Sequence, residues 1–257
     1  MKIIALVINL LVAHQFVVAQ KIDTVTIDAK KLNINAIIPG NHTYIVYSKK
    51  AKNSPSERLT IVKINVEQVQ HNAKSVFSIK QQWDSDTVVH SATTLLDKTD
   101  FSTIYHQTYW KRLGYTMTYD FEQKQLSFDR PVADSIKTKA TQDFTDSFKA
   151  YNLNWHSDLV VFPLLPYRDK TTFLINYYDP GFGPAQLVSY TVTGSETLTN
   201  YSGQKVACWV LRHLLNQPGF KGYQQFWIDK QSKEVLKEED EFNGRYRYKL
   251  KLGVSES

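Results

Sequence analysis

The sequence predicts a mainly β, antiparallel fold, and three observations carry that reading. Runs of alternating apolar and polar residues recur along the chain, separated by turn-forming Gly, Pro, Asn and Asp clusters. Aromatic residues make up 13% of the chain, led by 15 Tyr and 13 Phe, and such rings pack well on a pleated surface. The closing run alternates most strictly, with Tyr246, Tyr248, Leu250 and Leu252 set against Arg245, Arg247, Lys249 and Lys251. It reads as a strand with its apolar face inward and its cationic face in water.

The chain opens on a segment with the form of a secretory signal peptide, residues 1–19. Lys2 supplies the positive start, Ile3–Val18 is mostly apolar, and Val17 and Ala19 are small enough for signal-peptidase recognition. His14 and Gln15 interrupt the apolar run, which is short for a membrane span. Cleavage is expected near Gln20, which as a non-cysteine offers no lipid-anchor site. The expectation is an exported protein, periplasmic or secreted, with no transmembrane segment in the mature chain.

Residues 20–257 read as one β-rich domain. Pro39-Gly40-Asn41 marks a turn before a strand over His42–Lys49, with Tyr44 and Val46 on one face and Ile45 and Tyr47 on the other. A polar loop follows, in which Pro55 bars a ladder bond. Val62, Ile64 and Val66 alternate with Lys63, Asn65 and Glu67, and His71-Asn72-Ala73 turns into a strand over Ser75–Trp83. Further strands are expected over Ala92–Leu96, Ile104–Tyr109, Leu113–Phe121 and Gln125–Phe128. The period then changes. Phe144, Phe148 and Tyr151 recur at helical spacing, which predicts a helix over Thr141–Tyr151 with Thr141 as its N-cap. A second short helix within Asn154–Leu165 is limited by Pro163 and Pro166. Two strand sets are thus bridged by short helices at about 141–165. Strands resume at Thr171–Tyr178, beyond which YDPGFGPAQ forms a tight loop and four runs between Val188 and Leu252 form a meander. Trp209 and Trp227 fall on consecutive strands of that meander, where they are expected to cover one end of a shared core.

The net charge of +6 comes from scattered Lys and Arg, which reads as a solvated basic face. An anionic surface or acidic polymer is the sharper alternative, and no nucleic-acid partner is expected of an exported chain. Cys208 is the only cysteine, so no intrachain disulfide can form, and its strand position predicts a buried, inert thiol. Catalytic motifs are not evident. None of His14, His42, His71, His90, His106, His156 and His213 is spaced two or four residues from another, so no metal site is expected; His156 near Asp158 reads as a helix-cap cluster. Gly194-Ser195-Glu196 lacks a nucleophile elbow, and YDPGFGP has no following helix to cradle a phosphate. Asp179, Glu196 and Asp229 sit at turns, where carboxylates are simply solvated. No cofactor is expected.

One resemblance adds to this. The segment FWIDKQSKEVLKEE closing in YRYKLKL, together with LVVFPLLPYRDKTTFLINYYDPG, resembles a periplasmic family, the domain of unknown function 3108, over about Asn154–Leu252. The resemblance implies a long antiparallel sheet curled into an unclosed half-barrel, similar to periplasmic lipoprotein carriers, with one or two short helices over the opening. It brings no catalytic residue with it. On such a sheet Tyr115, Met117, Tyr119, Phe173, Tyr177, Trp209 and Trp227 are the candidates to line the concave face. If that face encloses space, the chain is a non-catalytic binding or carrier protein for an apolar ligand such as a lipid or acyl chain. A dry core is the competing outcome. A secreted hydrolase using unidentified carboxylates, and an envelope-assembly factor acting through a sheet edge, are the alternatives.

Overall fold

The computed structural model describes residues 23–252 apart from 201 and 218. The leader and its cleavage site near Gln20 lie outside the described residues. The first strands are β1 (Asp23–Thr26), β2 (Gly40–Lys49), β3 (Glu57–His71), β4 (Lys74–Asp84), β5 (Val88–Asp97), β6 (Thr103–Trp110), β7 (Tyr115–Asp120) and β8 (Gln125–Phe128). Helix α1 (Asp134–Ser147), the two-residue β9 (Leu153–Asn154) and helix α2 (Asp158–Val161) follow, α2 being flanked by 3-10 turns at Trp155–Ser157 and Phe162–Leu164. The second set is β10 (Thr171–Tyr178), β11 (Gln186–Thr199), β12 (Lys205–Gln217), β13 (Phe220–Asp229), β14 (Val235–Phe242) and β15 (Arg245–Leu252).

These strands form one sheet, in the order β1-β10-β11-β12-β13-β14-β15-β2-β3-β4-β5-β6-β7-β8, with β9 beside β10. Two antiparallel meanders join where β15 pairs with β2, Tyr246 opposite Lys49 and Leu252 opposite Thr43. Only β1 and β9 run parallel to their neighbour, β10. The edges β1 and β8 do not pair with each other, so the sheet is an unclosed barrel.

Local chemistry explains the joints. Between β3 and β4, Asn72 (φ 47°) and Ala73 (φ 62°) make a two-residue turn whose left-handed backbone matches the twist of the flanking strands. Inward positions then repeat every second residue from both meanders: Val62, Ile64 and Val66 on β3, Phe173, Ile175 and Tyr177 on β10. The α2 segment packs into this concave face. Val161, Phe162 and Leu164 are fully buried, and the Phe162 ring lies 4.6 Å from Phe226 and 5.0 Å from Tyr190. Each such side chain contributes about 1.5–3 kcal/mol through burial, so this segment is a principal part of the core.

Two expectations are corrected. Helix α1 begins at Asp134 rather than Thr141 and ends at Ser147. Its buried stripe is Ala140, Asp143, Phe144 and Ser147, which small and polar residues hide from a hydrophobic pattern, while Phe148 is its C-cap. The Asn152 side-chain amide donates to the Ser147 carbonyl (2.7 Å) and satisfies a terminal acceptor.

The last strand faces the other way. Lys249 is 5% exposed and points into the barrel with Arg247 and Lys251, while Tyr248 stacks on Tyr47 at 5.1 Å and Leu252 is exposed. The reason lies on the neighbouring strand. Register places Glu238 opposite Lys249 and Asp240 opposite Arg247, so inward bases meet inward acids. The alternation of β15 is as read, but its phase is inverted.

Candidate functional site

Where the apolar packing stops, the concave side holds a cavity of about 220 Å³. Its walls come from three parts of the chain. Strands β4–β6 and the turn after them supply Gln81, Trp83, His90, Trp110 and Arg112; β13–β15 supply Gln224, Glu238, Arg247 and Lys249. The α2 segment and the loop after β10 supply Trp155, His156, Asp158, Asp179 and Phe182. Val62 and Ile64 of β3, with Leu159, give it an apolar floor.

The wall from β14 and β15 is ionic. Arg247 donates through Nε to Asp240 (2.6 Å) and through Nη2 to Glu238 (3.1 Å), and Lys249 pairs with the other Glu238 oxygen. Burial opposes ionisation of Glu238, but Lys249 and Arg247 outweigh it and hold the carboxyl below its ordinary value. Asp240 is pushed up instead, by burial and by the Glu238 charge beside it, against the pull of Arg247. Two acids and two bases are thus held in direct contact. Lys249 also sits 5.4 Å from the Trp83 ring centroid.

Another wall holds His90 and His156, with the fully buried His106 behind them. The His156 ring lies 4.7 Å from His106 and 5.2 Å from His90. His90 donates Nδ1–H to the Tyr109 carbonyl (2.8 Å) and stacks on Trp110 at 3.7 Å; His106 Nδ1 meets the Thr94 hydroxyl at 2.9 Å. Burial pushes His90 down to about 4 and His106 to about 3, and burial with two imidazole neighbours takes His156 well below its ordinary value. All three are neutral at physiological pH. Among the described residues no group of three His, Cys, Asp or Glu is spaced to hold a metal ion. The rings instead form a neutral, aromatic polar wall.

Among the described residues, two carboxyls on the cavity have no Lys or Arg within ion-pairing distance. Asp158 at the start of α2 accepts its nearest contact from the Leu159 amide (2.6 Å), and burial raises it against the attraction of Lys249. Asp179 lies 3.7 Å from Nδ1 of the neutral His156, and burial, then the Asp158 charge, push it up to about 7. The loop that carries Asp179 and Phe182 turns at Gly181, where φ is +88° and an added Cβ would stand 2.5 Å from the Met117 side chain. The left-handed φ favours glycine here, while the flexible end of Met117 could give way to a Cβ. At the mouth Arg112 sits over Trp110 (5.1 Å) and Phe182 (5.4 Å).

The family model described as protein of unknown function (DUF3108) matches residues 43–251. The chain belongs to this family. No curated relative matches the DUF3108 chain. Among solved structures it is similar to a protein of YmcC-like fold from Bacteroides fragilis, at 11% identity and TM-score 0.30, covering 84% of this chain and 96% of that one. It is also similar to a β-barrel-like DUF1849 protein from Brucella abortus (8%, TM-score 0.34, 84% and 96% covered). A DUF1329 protein from Desulfovibrio piger matches at 9% and TM-score 0.27, with 86% of each chain covered.

The seven aromatic-face candidates of this DUF3108 chain do not converge. Tyr115, Met117 and Tyr119 pack beneath α1 with Phe144 and Tyr178. Phe173 and Tyr177 lie in the main core, with Trp209 against it, stacked on Tyr167 and capped by Lys230 at 3.8 Å. Trp227 is on the outer face with Cys208 and Val210, and its Nε1 donates to Glu196 (2.8 Å). The register sets Trp209 opposite Ile228 and Val210 opposite Trp227, so the two tryptophans point to opposite faces and share no core. Tyr177 alone of the seven lines a described cavity, one of about 170 Å³ next to Trp155 and Asp179.

Of the three turn carboxylates, Asp229 caps its turn (2.8 Å to the Gln231 amide) and Glu196 serves Trp227, but Asp179, its side chain 37% exposed, lines the cavity. His156 is likewise a wall residue beside two other histidines, not only a cap neighbour. The ionic wall was missed altogether. Its signal was present as Glu238 and Asp240 two residues apart, facing Arg247 and Lys249 two residues apart across the Asn243-Gly244 turn.

Proposed function

We propose that the chain is an exported, non-catalytic binding protein that holds a small amphipathic ligand in the cavity between its histidine and ionic walls. The observation that carries this reading is the cavity itself, whose lining interleaves the aromatic rings Trp83, Trp110, Trp155 and Phe182 with charged side chains. A short acyl or aryl group packs on the rings and the floor of Val62 and Ile64, and a polar head meets the charged residues. The volume supports a small ligand, since about 220 Å³ is below the ~300–1,000 Å³ typical of drug-sized sites. The apolar hollow by Tyr44, Leu159 and Val160 is about 20 Å³, too small for a chain of any length. Export rests on the leader read from the sequence.

The test is a thermal-shift and tryptophan-fluorescence screen of the purified protein against small cationic, neutral and anionic amphiphiles. Binding that saturates, raises the melting temperature and is weakened by Trp155→Ala at the cavity supports the reading. If no compound of any charge binds, the cavity holds only water and the reading fails. For export, mass spectrometry of envelope protein should find a new N-terminus near Gln20; an intact leader would overturn that part.

A further inference from the structure

The charge balance of the cavity identifies the chemistry of the head group. Glu238 and Asp240 are matched by Arg247 and Lys249 through direct contacts, so neither cation of that quartet is free for a ligand. What remains on the cavity is Asp158 and Asp179 against one cation, Arg112, which is exposed at the mouth and engaged with Trp110 and Phe182. Among the described residues, the cations inside this cavity, Arg247 and Lys249, are therefore already paired with Glu238 and Asp240.

Hydrogen-bonding capacity points the same way, independently of charge. Gln224 and His156, each 8% exposed, both line the cavity, and neither Gln224 Oε1 nor His156 Nδ1 has a partner. Asp179 Oδ1 is also unpaired, and its separation from His156 Nδ1, 3.7 Å, is too long for a hydrogen bond but short enough for one donor group to lie within about 2.9 Å of both. Gln224 Oε1 can only accept, and so can Asp179 Oδ1 once ionised, so a donor is the partner that satisfies both. Leaving such atoms unsatisfied costs about 1–3 kcal/mol each.

We infer that the ligand carries an organic ammonium group, donated to Asp179, Asp158 and the unpaired acceptors beside them, with its apolar body against the tryptophans. This inference rests on the binding reading above and deepens it. An ammonium supplies three N–H donors and an unpaired positive charge in one group. The neutral histidine wall favours it too, because imidazolium there would compete for the same carboxylates. Rings that surround a cation add attraction of their own.

The experiment is calorimetric titration of the full mature protein with three probes of one shape: 2-phenylethylamine, 2-phenylethanol and phenylacetate, at neutral pH. The amine is expected to bind at least about ten-fold more tightly than the alcohol, and phenylacetate more weakly still. Asp179→Asn and Asp158→Asn should each remove about ten-fold of the amine affinity and less of the alcohol affinity, while the melting temperature is not reduced. An unreduced melting temperature and an unchanged near-UV circular dichroism spectrum show that each variant is folded. If the alcohol or phenylacetate binds as tightly as the amine, or if neither substitution affects the amine, the ammonium assignment is wrong while the small-ligand reading stands. If none of the three binds, the assignment falls, and the wider screen decides whether the cavity binds anything.

Discussion

Replacing Arg247 with Met tests whether the cations of β15 are structural. The guanidinium bonds Asp240 and Glu238, whose side chains are 0% and 3% exposed. Methionine keeps much of the length and removes the charge, leaving two carboxyls to share Lys249. Breaking a buried ion pair by removing one partner costs about 3–5 kcal/mol. Two features place this case at the lower end. The Arg247 side chain is 37% exposed, so water reaches the pair, and Asp240 can take up a proton. Urea denaturation at neutral pH should therefore show a loss of about 3 kcal/mol, read as a lower midpoint with an unchanged slope. The pH dependence identifies the cause. Lys249 and Arg247 hold the Glu238 carboxyl below its ordinary value in the folded state, and losing Arg247 raises it. That part of the penalty should be present above the ordinary carboxylate range and fade below it, where Glu238 is protonated in both states, whereas Asp240, at about 8, adds to it only at higher pH. A loss under about 0.5 kcal/mol at neutral pH, the size of an ordinary surface substitution, would refute the burial and return the cationic face to water.

Other consequences can be checked with the same purified protein. Phe162→Ala removes a fully buried ring from the α2 segment and should cost about 3–5 kcal/mol in denaturant unfolding. Asp179 faces His156, Asp158 and Arg112, and its carboxyl at about 7 is above the unfolded value. Asp179 thus contributes a loss of stability as pH rises from about 4 to 7, against the gain from the buried histidines, and Asp179→Asn should remove that loss, so that its stability relative to wild type rises over this range. Cys208 is buried, and burial pushes its thiol up to about 11. It should resist a thiol-reactive dye in the native state and react once the chain is unfolded in denaturant.

Much of the fold was legible because its signals are local. β8 (Gln125–Phe128), β10 (Thr171–Tyr178) and β15 (Arg245–Leu252) stand where the alternation put them. What alternation cannot supply is its own phase when a strand has two usable faces. Tyr246, Tyr248 and Leu250 make a plausible inner face until Glu238 and Asp240 are seen to point inward beside them. Hydrophobicity argued for one orientation, and a buried charge network from the adjacent strand set the other. The cavity was illegible for a different reason. His90, His106 and His156 have no sequence relation; they meet because β5 and β6 pair and the α2 segment folds back into the curl. Asp179 looked like a turn carboxylate because it is one, and only the path of the Gly181 loop along β7 carries it to the cavity. The aromatic inventory was divided among three packing clusters on both faces.

The five tryptophans give the most direct measurement of the central claim. Trp83, Trp110 and Trp155 line the cavity, whereas Trp209 packs by Tyr167 and Trp227 on the outer face. With each indole N–H resonance assigned by single Trp→Phe replacement, a nitrogen–proton correlation spectrum should be followed as 2-phenylethylamine is added. The account predicts that Trp83, Trp110 and Trp155 shift together and saturate at one concentration while Trp209 and Trp227 stay in place. Shifts at Trp209 or Trp227 with the other three unmoved would contradict it and put the ligand elsewhere on the sheet.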